Sequence, residues 1–320
     1  MSWLVTGGAG YIGSHVVRAF KAAGITPVVI DDLSSGFEKF VPNDVALVRS
    51  SVLDTEAVGR ALQEHDCVGV VHLAGFKYAG VSVQRPLHTY DQNVQGTVSL
   101  LRAMQDVGVH NYVFSSSASV YGTPDVDLVT EDTALKPESP YGQSKLIGEW
   151  LGADIAAVDP AWRFTNLRYF NVVGSGAEDL YDASPHNLFP IVFNALLSGT
   201  TPKIFGDDYP TPDGTCVRDY IHVADLADAH VAAAQAMTEG RNLEYAYNLG
   251  SGDGSSVAEI MQAIARVTGI DFQAERAPRR PGDPARIVAN GDLAARDLGW
   301  RMTHDLDDMV ASAWNAARNA

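Results

Sequence analysis

The sequence predicts an α/β fold: a doubly wound parallel sheet with helices on both faces, and a smaller, interleaved C-terminal α/β domain. The first observation is that short β-rich runs alternate with helical ones through the first half of the chain. The second is a change after residue 174, where Gly-, Asp- and Pro-rich segments separate shorter helices. Together they indicate one large α/β unit that carries a smaller one.

The β-rich runs are short and end at glycine or polar residues. In chain order they are WLVTG (3–7), PVVID (27–31), VALVRS (45–50), CVGVVHLAG (67–75) and NYVFSSS (111–117). Between them, HVVRAFKAAG, TEAVGRALQEH and NVQGTVSLLRAMQDVG space their apolar residues three and four apart, as amphipathic helices do. Strands joined through helices of this length are expected to run parallel.

Later segments indicate that the two domains alternate along the chain. FTNLRYFNVVG (164–174) ends the first series of alternating strands and helices. Further along the chain, YIHVADLADAHVAAAQAM and YAYNLGSG again have the character of a core helix and strand. We therefore expect a first domain of residues 1–172 plus about 217–250, and a second of about 173–216 plus 251–320.

Composition and charge exclude some function classes. The 320 residues carry a formal net charge of -16 at pH 7, so neither a nucleic acid nor an anionic membrane is the expected ligand. No basic segment precedes the first apolar stretch, as it would in a signal peptide, and no run approaches the roughly 18 apolar residues of a membrane span. Cys67 and Cys216 form no metal or disulfide pattern, so we expect a cytoplasmic protein without a metal site.

The first strand-to-helix junction predicts a dinucleotide site. LVTGGAGYIGSHVV places Gly8, Gly10 and Gly13 at the spacing G-x-G-x-x-G, which lets backbone amides at a helix N-terminus approach a pyrophosphate. Asp31 ends the second strand, where a carboxylate accepts the adenosine-ribose hydroxyls and repels a 2′-phosphate. Asp32 follows and no Arg lies nearby in the sequence. The first domain is therefore predicted to be a Rossmann domain that prefers NAD to NADP.

The segment SPYGQSKLIGE (139–149) predicts a helix that carries a base. Its Ser-Pro pair favours a helix start, which places Tyr141 and Lys145 on one face. A free phenol has a pKa near 10, and lowering it by about 3 units requires roughly 4 kcal/mol, which Lys145 and an oxidised nicotinamide can both help to supply. Ser117, in FSSSASVYG, would face the same oxygen. A packed ring under a solvated amine and a serine-rich turn remain the alternatives on these residues alone.

With these motifs the chain resembles the extended short-chain dehydrogenase/reductase family. The resemblance runs through TGGAGYIGSH, VVHLAGFK, FSSSASVYG, SPYGQSKL, LRYFNVVG, GTCVRDYIHVADLADAH, YNLGSG and PRRPGDPA. The first and fourth motifs mark the whole superfamily, whereas VRDYIHV, AGFK and RRPGD occur in a narrower group that epimerises UDP-sugars.

The resemblance implies an enzyme that interconverts UDP-galactose and UDP-glucose through a transient 4-keto sugar and tightly bound NAD. Tyr141 would take the proton of the sugar 4-hydroxyl, Ser117 would hydrogen-bond that oxygen, and Lys145 would bind the nicotinamide ribose and acidify Tyr141. The keto sugar would turn over in the pocket and take the hydride back on its other face. A homodimer is also implied, with NVQGTVSLLRAM and SKLIGEWLGADI as candidate interface segments.

Cofactor contacts are implied along one edge of the sheet. Besides Tyr141 and Lys145 they are Gly7, Gly10, Tyr11, Ile12, Gly13, Asp31, Asp32, Leu33, Ser34, Ser51, Val52, Leu73, Ala74, Gly75, Lys77, Gln92, Asn93, Ser115 and Phe170. On spacing alone Lys77 could equally be a solvated loop residue. Ser51 replaces the Asp that the family usually sets against the adenine, Gln92 stands where many relatives have Asn, and NVVG replaces the usual NPxG.

UDP-sugar contacts are implied in both domains. They are Lys77, Ser117, Tyr141, Asn171, Asn187, Leu188, Lys203, Ile204, Phe205, Arg218, Arg280, Asp283 and Ile287. Arg218 and Arg280 would hold the diphosphate, because an acidic protein needs placed arginines for a dianion, although a surface ion pair is the alternative for either. Asn171 and Asn187 would contact sugar and phosphate, Lys203 to Phe205 the uracil, and Asp283 the ribose.

Ile287 falls where side-chain bulk gates the sugar pocket in the family. Its intermediate size predicts a preference for UDP-glucose and UDP-galactose over their N-acetylated forms.

Other functions share these motifs. A 4,6-dehydratase needs a carboxylate beside the catalytic hydroxyl, but Ala118 and Ser119 follow Ser117. A UDP-glucuronate or UDP-N-acetylhexosamine epimerase stays open, and so does a non-catalytic NAD-sensing protein, for which the catalytic set would have no evident use. His72 and His222 lie in apolar runs and are predicted to be core histidines rather than ligands.

Overall fold

A seven-stranded sheet collects the β-rich runs, and every neighbouring pair of strands in it is parallel. The computed structural model describes residues 1–280 and 283–320, so Pro281 and Gly282 of the RRPGD motif lie outside the described residues. The strands of this sheet are β1 (Ser2–Thr6), β2 (Thr26–Asp31), β3 (Ala46–Arg49), β4 (Cys67–His72), β5 (Asn111–Ser115), β6 (Arg163–Tyr169) and β11 (Ala246–Leu249). Their order, β11-β6-β5-β4-β1-β2-β3, is that of a doubly wound sheet, which confirms the predicted fold class.

Helices cover both faces of this sheet. The helices are α1 (Tyr11–Ala22), α2 (Thr55–Glu64), α3 (Ala79–Gln84), α4 (Pro86–Tyr90), α5 (Gly96–Val107), α6 (Pro140–Val158), α7 (Leu188–Leu197), α8 (Val223–Thr238), α9 (Val257–Thr268), α10 (Asp292–Leu298) and α11 (Leu306–Arg318). Helices α1 and α8 bury Phe20 and Leu226 over one face, and α2 and α5 bury Leu62 and Leu100 over the other. Apolar burial of this kind, at about 25 cal/mol per Å², is the main stabilising contribution.

Helix α6 begins where the sequence predicts. The Ser139 hydroxyl accepts a hydrogen bond from the Gly142 N–H at 3.1 Å, and Pro140 occupies the first turn. Gly148 lets the helix lie against the sheet, because a Cβ there would come within 2.5 Å of the Phe114 ring. The cap and the close approach together set the helix position relative to β5.

The helix predicted over NVQGTVSLLRAMQDVG starts differently from the prediction. A π-helical turn, Asp91–Gln95, precedes α5. It carries the Asn93 side chain, whose oxygen accepts from Phe76 N at 2.6 Å and whose amide donates to Phe76 O at 3.0 Å. Single π-turns of this kind are frequent at functional sites, and here the turn fixes the loop that follows β4.

A smaller region is built from short strands and its own apolar core. In it β7 (Asn171–Val173) pairs with β10 (Tyr220–His222), β8 (Lys203–Phe205) pairs with β13 (Glu275–Ala277), and β9 (Val217–Arg218) lies between β12 (Ser255–Ser256) and β14 (Arg286–Ile287). Its core includes Phe193 of α7, Ile260 of α9 and Trp314 of α11. After β10, the chain returns through α8 and β11 to the large sheet. Of the helices in the described part of the chain, none combines the length and the apolar character of a membrane span.

Candidate active site

A cleft of about 840 Å³ opens along the carboxyl ends of the parallel strands, beside the point where the strand order reverses between β1 and β4. Most of the predicted site residues line it. They are Gly7, Gly10, Tyr11, Ile12, Gly13, Asp31, Asp32, Ser34, Ser51, Val52, Leu73, Ala74, Gly75, Lys77, Gln92, Tyr141, Lys145, Phe170, Asn171, Asn187, Leu188, Arg218, Arg280 and Asp283. Folding thus brings both predicted halves of the site, cofactor and UDP-sugar, to one cleft.

The turn between β1 and α1 approaches its neighbours so closely that side chains are excluded. Gly7 has a φ of 70°, and a Cβ there would lie 2.9 Å from Ala74 N. A Cβ on Gly13 would lie 2.1 Å from the Gly7 carbonyl oxygen. Gly10, which precedes α1, has no side chain to cap the helix, so the first N–H groups can bind an anionic group.

Asp31 is held in place at the end of β2. One carboxylate oxygen accepts from Ala9 N at 3.0 Å and the other from Leu33 N at 2.8 Å. Burial raises the pKa of Asp31, and these two N–H donors lower it. Leu33 adopts a φ of 57°, and the turn brings its N–H to the carboxylate. The remaining acceptor sites of the carboxylate can receive ribose hydroxyls.

Tyr141, Lys145 and Ser117 meet at the end of β5. The Lys145 Nζ donates to the Ser115 carbonyl oxygen at 2.8 Å and lies 6.0 Å from the centre of the Tyr141 ring. The Ser117 hydroxyl hydrogen-bonds Ser119, with its oxygen 3.2 Å from Ser119 Oγ, and it lies near enough to the phenol to lower the pKa of Tyr141. The three groups therefore converge, as the resemblance implied, on one end of the cleft.

The acidity predicted for Tyr141 is not produced by Lys145 alone. Burial raises the pKa of Tyr141, and the nearby Ser117 hydroxyl lowers it by less. Burial also lowers the pKa of Lys145 to about 8, against a smaller raising effect of Glu149. Because Lys145 is buried and its amine is bonded to a carbonyl oxygen, a further positive charge is needed to make the phenol a base near neutral pH.

Other predicted residues lie behind or beside the cleft rather than in its lining. They are Leu33, Asn93, Ser115, Ser117, Lys203, Ile204, Phe205 and Ile287. Asn93 is buried and bonds Phe76 and the Ser144 hydroxyl, and the buried Ser115 side chain bonds His230 Nε2 at 2.5 Å. Both were predicted as cofactor contacts. Their side chains hold the segments that form the cleft, and a direct contact with the cofactor stays a prediction.

The side chains of strand β8, predicted to contact uracil, are not among the residues that line the cleft. Lys203 pairs with Glu275 at 3.2 Å on the surface, and Ile204 is buried in the core of the smaller region. Phe205 lies under Arg280, with the guanidinium carbon 4.4 Å from the ring centre. This strand therefore supports Arg280 with its last side chain, and a contact between the strand and uracil stays a prediction.

Arg218 is a placed arginine rather than a surface ion pair. Its Nη1 donates to the carbonyl oxygens of Val217 at 2.9 Å and Pro284 at 2.7 Å, and its Nη2 lies 3.6 Å from a carboxylate oxygen of Asp283. The side chain is only 14% exposed. These three contacts hold a positive charge in place at the cleft, as binding of a diphosphate requires.

Ile287 belongs to an apolar cluster beside the catalytic end. It packs in a cluster with Ala118, Val120, Tyr121 and Leu146, and it is 9% exposed. Only a small part of the side chain can meet a ligand. Its predicted effect on sugar size would therefore act through this cluster as well as by direct contact.

Aromatic residues that line the cleft were missed by the sequence reasoning. Tyr78, which precedes α3, packs edge-to-face on His186 of the smaller region, with ring centres 4.8 Å apart. Tyr181 packs on Phe40 of the large domain in the same way at 5.1 Å. Both pairs join the segment between β7 and α7 to the Rossmann domain. Aromatic residues within otherwise polar loops are the sequence signal that could have predicted them.

His72 and His222 are core histidines, as predicted. The His72 nitrogens bond Thr6 Oγ1 at 2.8 Å and Thr97 Oγ1 at 3.0 Å, and burial lowers its pKa to about 3. Burial also lowers the pKa of His222 to about 4. Within residues 1–280 and 283–320, no group of three or more His, Cys, Asp or Glu side chains is arranged to hold a metal ion.

Comparison with known proteins adds a family to this geometry. The model of the NAD dependent epimerase/dehydratase family matches residues 3–250. UDP-glucose 4-epimerase of Bacillus subtilis is 42% identical over an alignment of 327 residues, gaps included. The alignment covers 98% of this chain and 96% of that enzyme. The UDP-glucose-4-epimerase of Stenotrophomonas maltophila, solved with NAD and formylated UDP-arabinopyranose, aligns with a TM-score of 0.95 at 40% identity and covers 99% of this chain and 98% of its own. That of Bifidobacterium longum, solved with NAD+ and UDP, aligns at 0.91 and 37% with the same coverage.

Proposed function

The chain belongs to the NAD dependent epimerase/dehydratase family, and on that premise we propose that it is an NAD-dependent isomerase that interconverts UDP-glucose and UDP-galactose. The observation that supports this best is the convergence of Tyr141, Lys145 and Ser117 at one end of a cleft. The same cleft is lined by a dinucleotide-type turn and by Arg218 and Arg280. A proton acceptor, a cofactor site and cations for a diphosphate are the parts that inversion at a sugar carbon requires.

The residues fit NAD. The turn around Gly7 and Gly13 has room only for backbone, which suits a pyrophosphate, and the Asp31 carboxylate is aligned by two N–H donors. A carboxylate there repels the 2′-phosphate of NADP. When bound, NAD supplies a reversible hydride acceptor beside Tyr141.

Tyr141 moves the proton in the proposed reaction. Its phenol oxygen takes the proton of the sugar 4-hydroxyl, and Ser117 donates a hydrogen bond to the same sugar oxygen. Lys145, held by the Ser115 carbonyl oxygen, keeps its positive charge near the phenol. After the 4-keto sugar has presented its other face, Tyr141 returns the proton to the opposite alcohol, so the net redox change is zero.

The smaller region holds the UDP part in this proposal. Arg218 and Arg280 bind the diphosphate, Asn187 binds a phosphate oxygen, and Asp283 accepts from the ribose. Lys77 lines the cleft beside the loop after β4 and contributes a further cation. The diphosphate thus stays anchored while the sugar turns.

Retained cofactor and a single conversion test the function together. Protein purified without added nucleotide should carry a stoichiometric amount of NAD and convert UDP-galactose to UDP-glucose with no external redox partner. NAD content is measured after denaturation, and the sugars are separated by chromatography. Folded protein that neither holds nor acquires NAD, or that holds it and leaves UDP-galactose unchanged, would contradict the proposal.

Substrate preference follows from Ile287. We expect a higher kcat/KM for UDP-galactose than for UDP-N-acetylgalactosamine, because a side chain of this size leaves limited room for the acetamido group. Comparable values for the two substrates would favour the UDP-N-acetylhexosamine epimerase instead. Replacing Ile287 by Ala should shift the ratio of the two kcat/KM values toward the N-acetylated sugar. Ile270→Ala, at a residue packed against the core of the smaller region, should leave this ratio unchanged.

A cytoplasmic homodimer completes the proposal. Trp150 of α6 is 52% exposed and Leu87 of α4 is 77% exposed, and large apolar side chains on a surface favour a protein partner. The segments 93–104 and 144–155 would supply the interface. Cys67 and Cys216 are free thiols, which suits a reducing compartment. Light scattering should give the mass of a dimer, and Trp150→Glu should give that of a monomer.

The division into domains is also part of the proposal. Residues 1–172 plus about 217–250 would bind NAD, and residues of about 173–216 plus 251–320 would bind the nucleotide sugar, but the short strands β7, β9 and β10 at these boundaries belong to the smaller region. The return of β11 to the edge of the large sheet supports it.

A further inference from the structure

A buried ion pair lies one helical turn beyond Lys145. Glu149 of α6 and Arg168 of β6 have side-chain exposures of 0% and 1%. Arg168 Nε donates to Glu149 Oε1 at 2.9 Å, and its Nη2 donates to Oε2 at 2.6 Å. Such a pair adds little net stability, because the cost of desolvating two ions offsets their attraction.

The pair is bonded to the strand end on which the catalytic groups converge. The Ser116 hydroxyl donates to Glu149 Oε1 at 2.5 Å. On one side of Ser116, the Ser115 carbonyl oxygen accepts from Lys145, and on the other lies Ser117, whose hydroxyl is near enough to the phenol to lower the pKa of Tyr141. Glu149 therefore holds the middle residue of the three that meet the catalytic lysine and tyrosine.

Arg168 ties the same carboxylate to the rest of the sheet. Its Nη1 donates to the Tyr121 hydroxyl at 2.8 Å, and that hydroxyl donates to the Asn248 side-chain oxygen of β11 at 2.7 Å. The network thus joins α6 to β5, β6 and β11. A carboxylate bonded on both oxygens cannot move without displacing one of these elements.

We propose that Glu149, clamped by Arg168, is a positioning residue for the epimerase reaction: it fixes residues 115–117 against α6 and thereby sets where Lys145 and Tyr141 meet the sugar oxygen. The proposal rests on the proposed function. Glu149 itself touches neither substrate nor cofactor, since its carboxylate oxygens are bonded to Ser116 and Arg168.

The negative charge of Glu149 also favours the protonated form of Lys145. Burial lowers the pKa of Lys145 to about 8, and Glu149 raises it. Further titratable or charged groups face this site from α6 and the neighbouring elements: Tyr141, His72, His230, Tyr169, Arg168, Tyr121, Glu131 and Tyr245. The two histidines are neutral near pH 7, because burial lowers the pKa of His72 to about 3 and that of His230 to about 4. Removing the Glu149 charge leaves the positive charge of Arg168 uncompensated, and Lys145 then loses its proton at a lower pH.

The test is a pair of substitutions that separate charge from geometry. Glu149→Gln removes the charge, and we expect kcat to fall and the alkaline limb of its pH profile to move down by about 1 unit. Glu149→Asp keeps the charge but shortens the side chain, so kcat should fall about 10-fold with the limb unchanged and KM for UDP-galactose nearly constant. Retained NAD should also decrease in Glu149→Gln, since a neutral Lys145 binds the cofactor ribose less well.

Controls distinguish positioning from simple destabilisation. Glu64→Gln makes the same chemical change on the exposed face of α2 and should leave kcat and its pH limb unchanged. Arg168→Lys keeps the positive charge and should keep the limb in place. If Glu149→Gln only lowers the folded fraction, measured by thermal unfolding, while the limb and retained NAD match the original protein, the proposal is overturned.

Two further results decide the remaining cases. If Glu149→Gln does not fold, full activity of Glu149→Asp would overturn the proposal, and a fall in its kcat at constant KM would support it. If the unsubstituted protein holds NAD but leaves UDP-galactose unchanged, the proposed function fails instead, and the effect of Glu149→Gln on retained NAD still tests the positioning of Lys145.

Discussion

The two halves of the cleft are built differently. The cofactor half consists of backbone in a strand, turn and helix, with Asp31 aligned by neighbouring N–H groups. The UDP-sugar half consists of side chains from short strands and loops of the smaller region, such as Arg218 and Asp283. The first half should be intolerant of added atoms and the second sensitive to lost charges and hydrogen bonds. Experiments on each half, and on the groups between them, test this difference.

The largest effect is expected where the halves meet. Tyr141→Phe removes the hydroxyl that moves the proton, and kcat should fall about 10³-fold while retained NAD stays constant. Tyr112→Phe is the matched control, because the Tyr112 hydroxyl is buried and has no hydrogen-bond partner among the described residues. Equal activity of the two variants in a conversion assay would remove Tyr141 from the mechanism.

In the cofactor half, a single methyl group should strongly weaken NAD binding. Gly13→Ala would place a Cβ 2.1 Å from the Gly7 carbonyl oxygen, so the turn must open. We expect retained NAD to fall about 100-fold, equivalent to about 3 kcal/mol. Gly80→Ala, where a Cβ meets nothing within 4 Å, is the control. NAD retention that is unchanged in Gly13→Ala would show that the turn is softer than its geometry indicates.

The junction between the halves should weaken in acid. His15 of α1 accepts from Gly176 N at 3.0 Å through Nε2, and burial lowers its pKa to about 4. Because the pKa is lowered by folding, this contribution is present above pH 6.5 and is lost as the pH falls toward 4. Between pH 7 and pH 5 the free energy of unfolding should drop by about 2 kcal/mol for this residue. Urea denaturation of His15→Gln should show a drop smaller by that amount.

In the UDP-sugar half, a change in the geometry of the hydrogen-bond donors should weaken substrate binding and leave NAD binding unchanged. Arg218→Lys keeps the charge but loses the planar fork, and KM for UDP-galactose should rise about 10-fold, equivalent to about 1.4 kcal/mol. Retained NAD should not change, because the cofactor half does not use this residue. Arg49→Lys, in an exposed ion pair with Glu38, should alter neither quantity. A parallel loss of NAD and substrate in Arg218→Lys would mean that the halves are not independent.

The smallest expected effect is slower NAD release after a change at the adenine end of the cofactor half. Ser51 lines the cleft where the family usually has Asp, and its hydroxyl accepts from Leu53 N at 3.2 Å. Ser51→Asp can keep this turn and add a carboxylate, and NAD release should slow about 3-fold, equivalent to about 0.6 kcal/mol. Stopped-flow displacement of NAD measures the rate, and faster release would show that the carboxylate is not accommodated.

The accuracy of the sequence reasoning differs between the halves for a physical reason. The glycine turn and Asp31 depend on residues close in the chain, so their spacing is enough to predict their positions. Arg218 and Asp283 are far apart in the chain, and only the resemblance to a family suggested that they share a site. Strand β8 illustrates the limit, because only the folded chain shows that Lys203 pairs with Glu275 on the surface and that Ile204 is buried.

The sequence by itself determined the doubly wound sheet, the dinucleotide turn and the helix that presents Tyr141 and Lys145, because periodicity, capping and glycine spacing act over a few residues. Tertiary structure alone decided the charge states and the supporting contacts. The raised pKa of Tyr141, the lowered pKa of Lys145 and the clamp of Glu149 by Arg168 all depend on how much water is excluded and on which distant groups are packed nearby. Desolvation and long-range pairing are properties of the folded chain, and no local pattern encodes them.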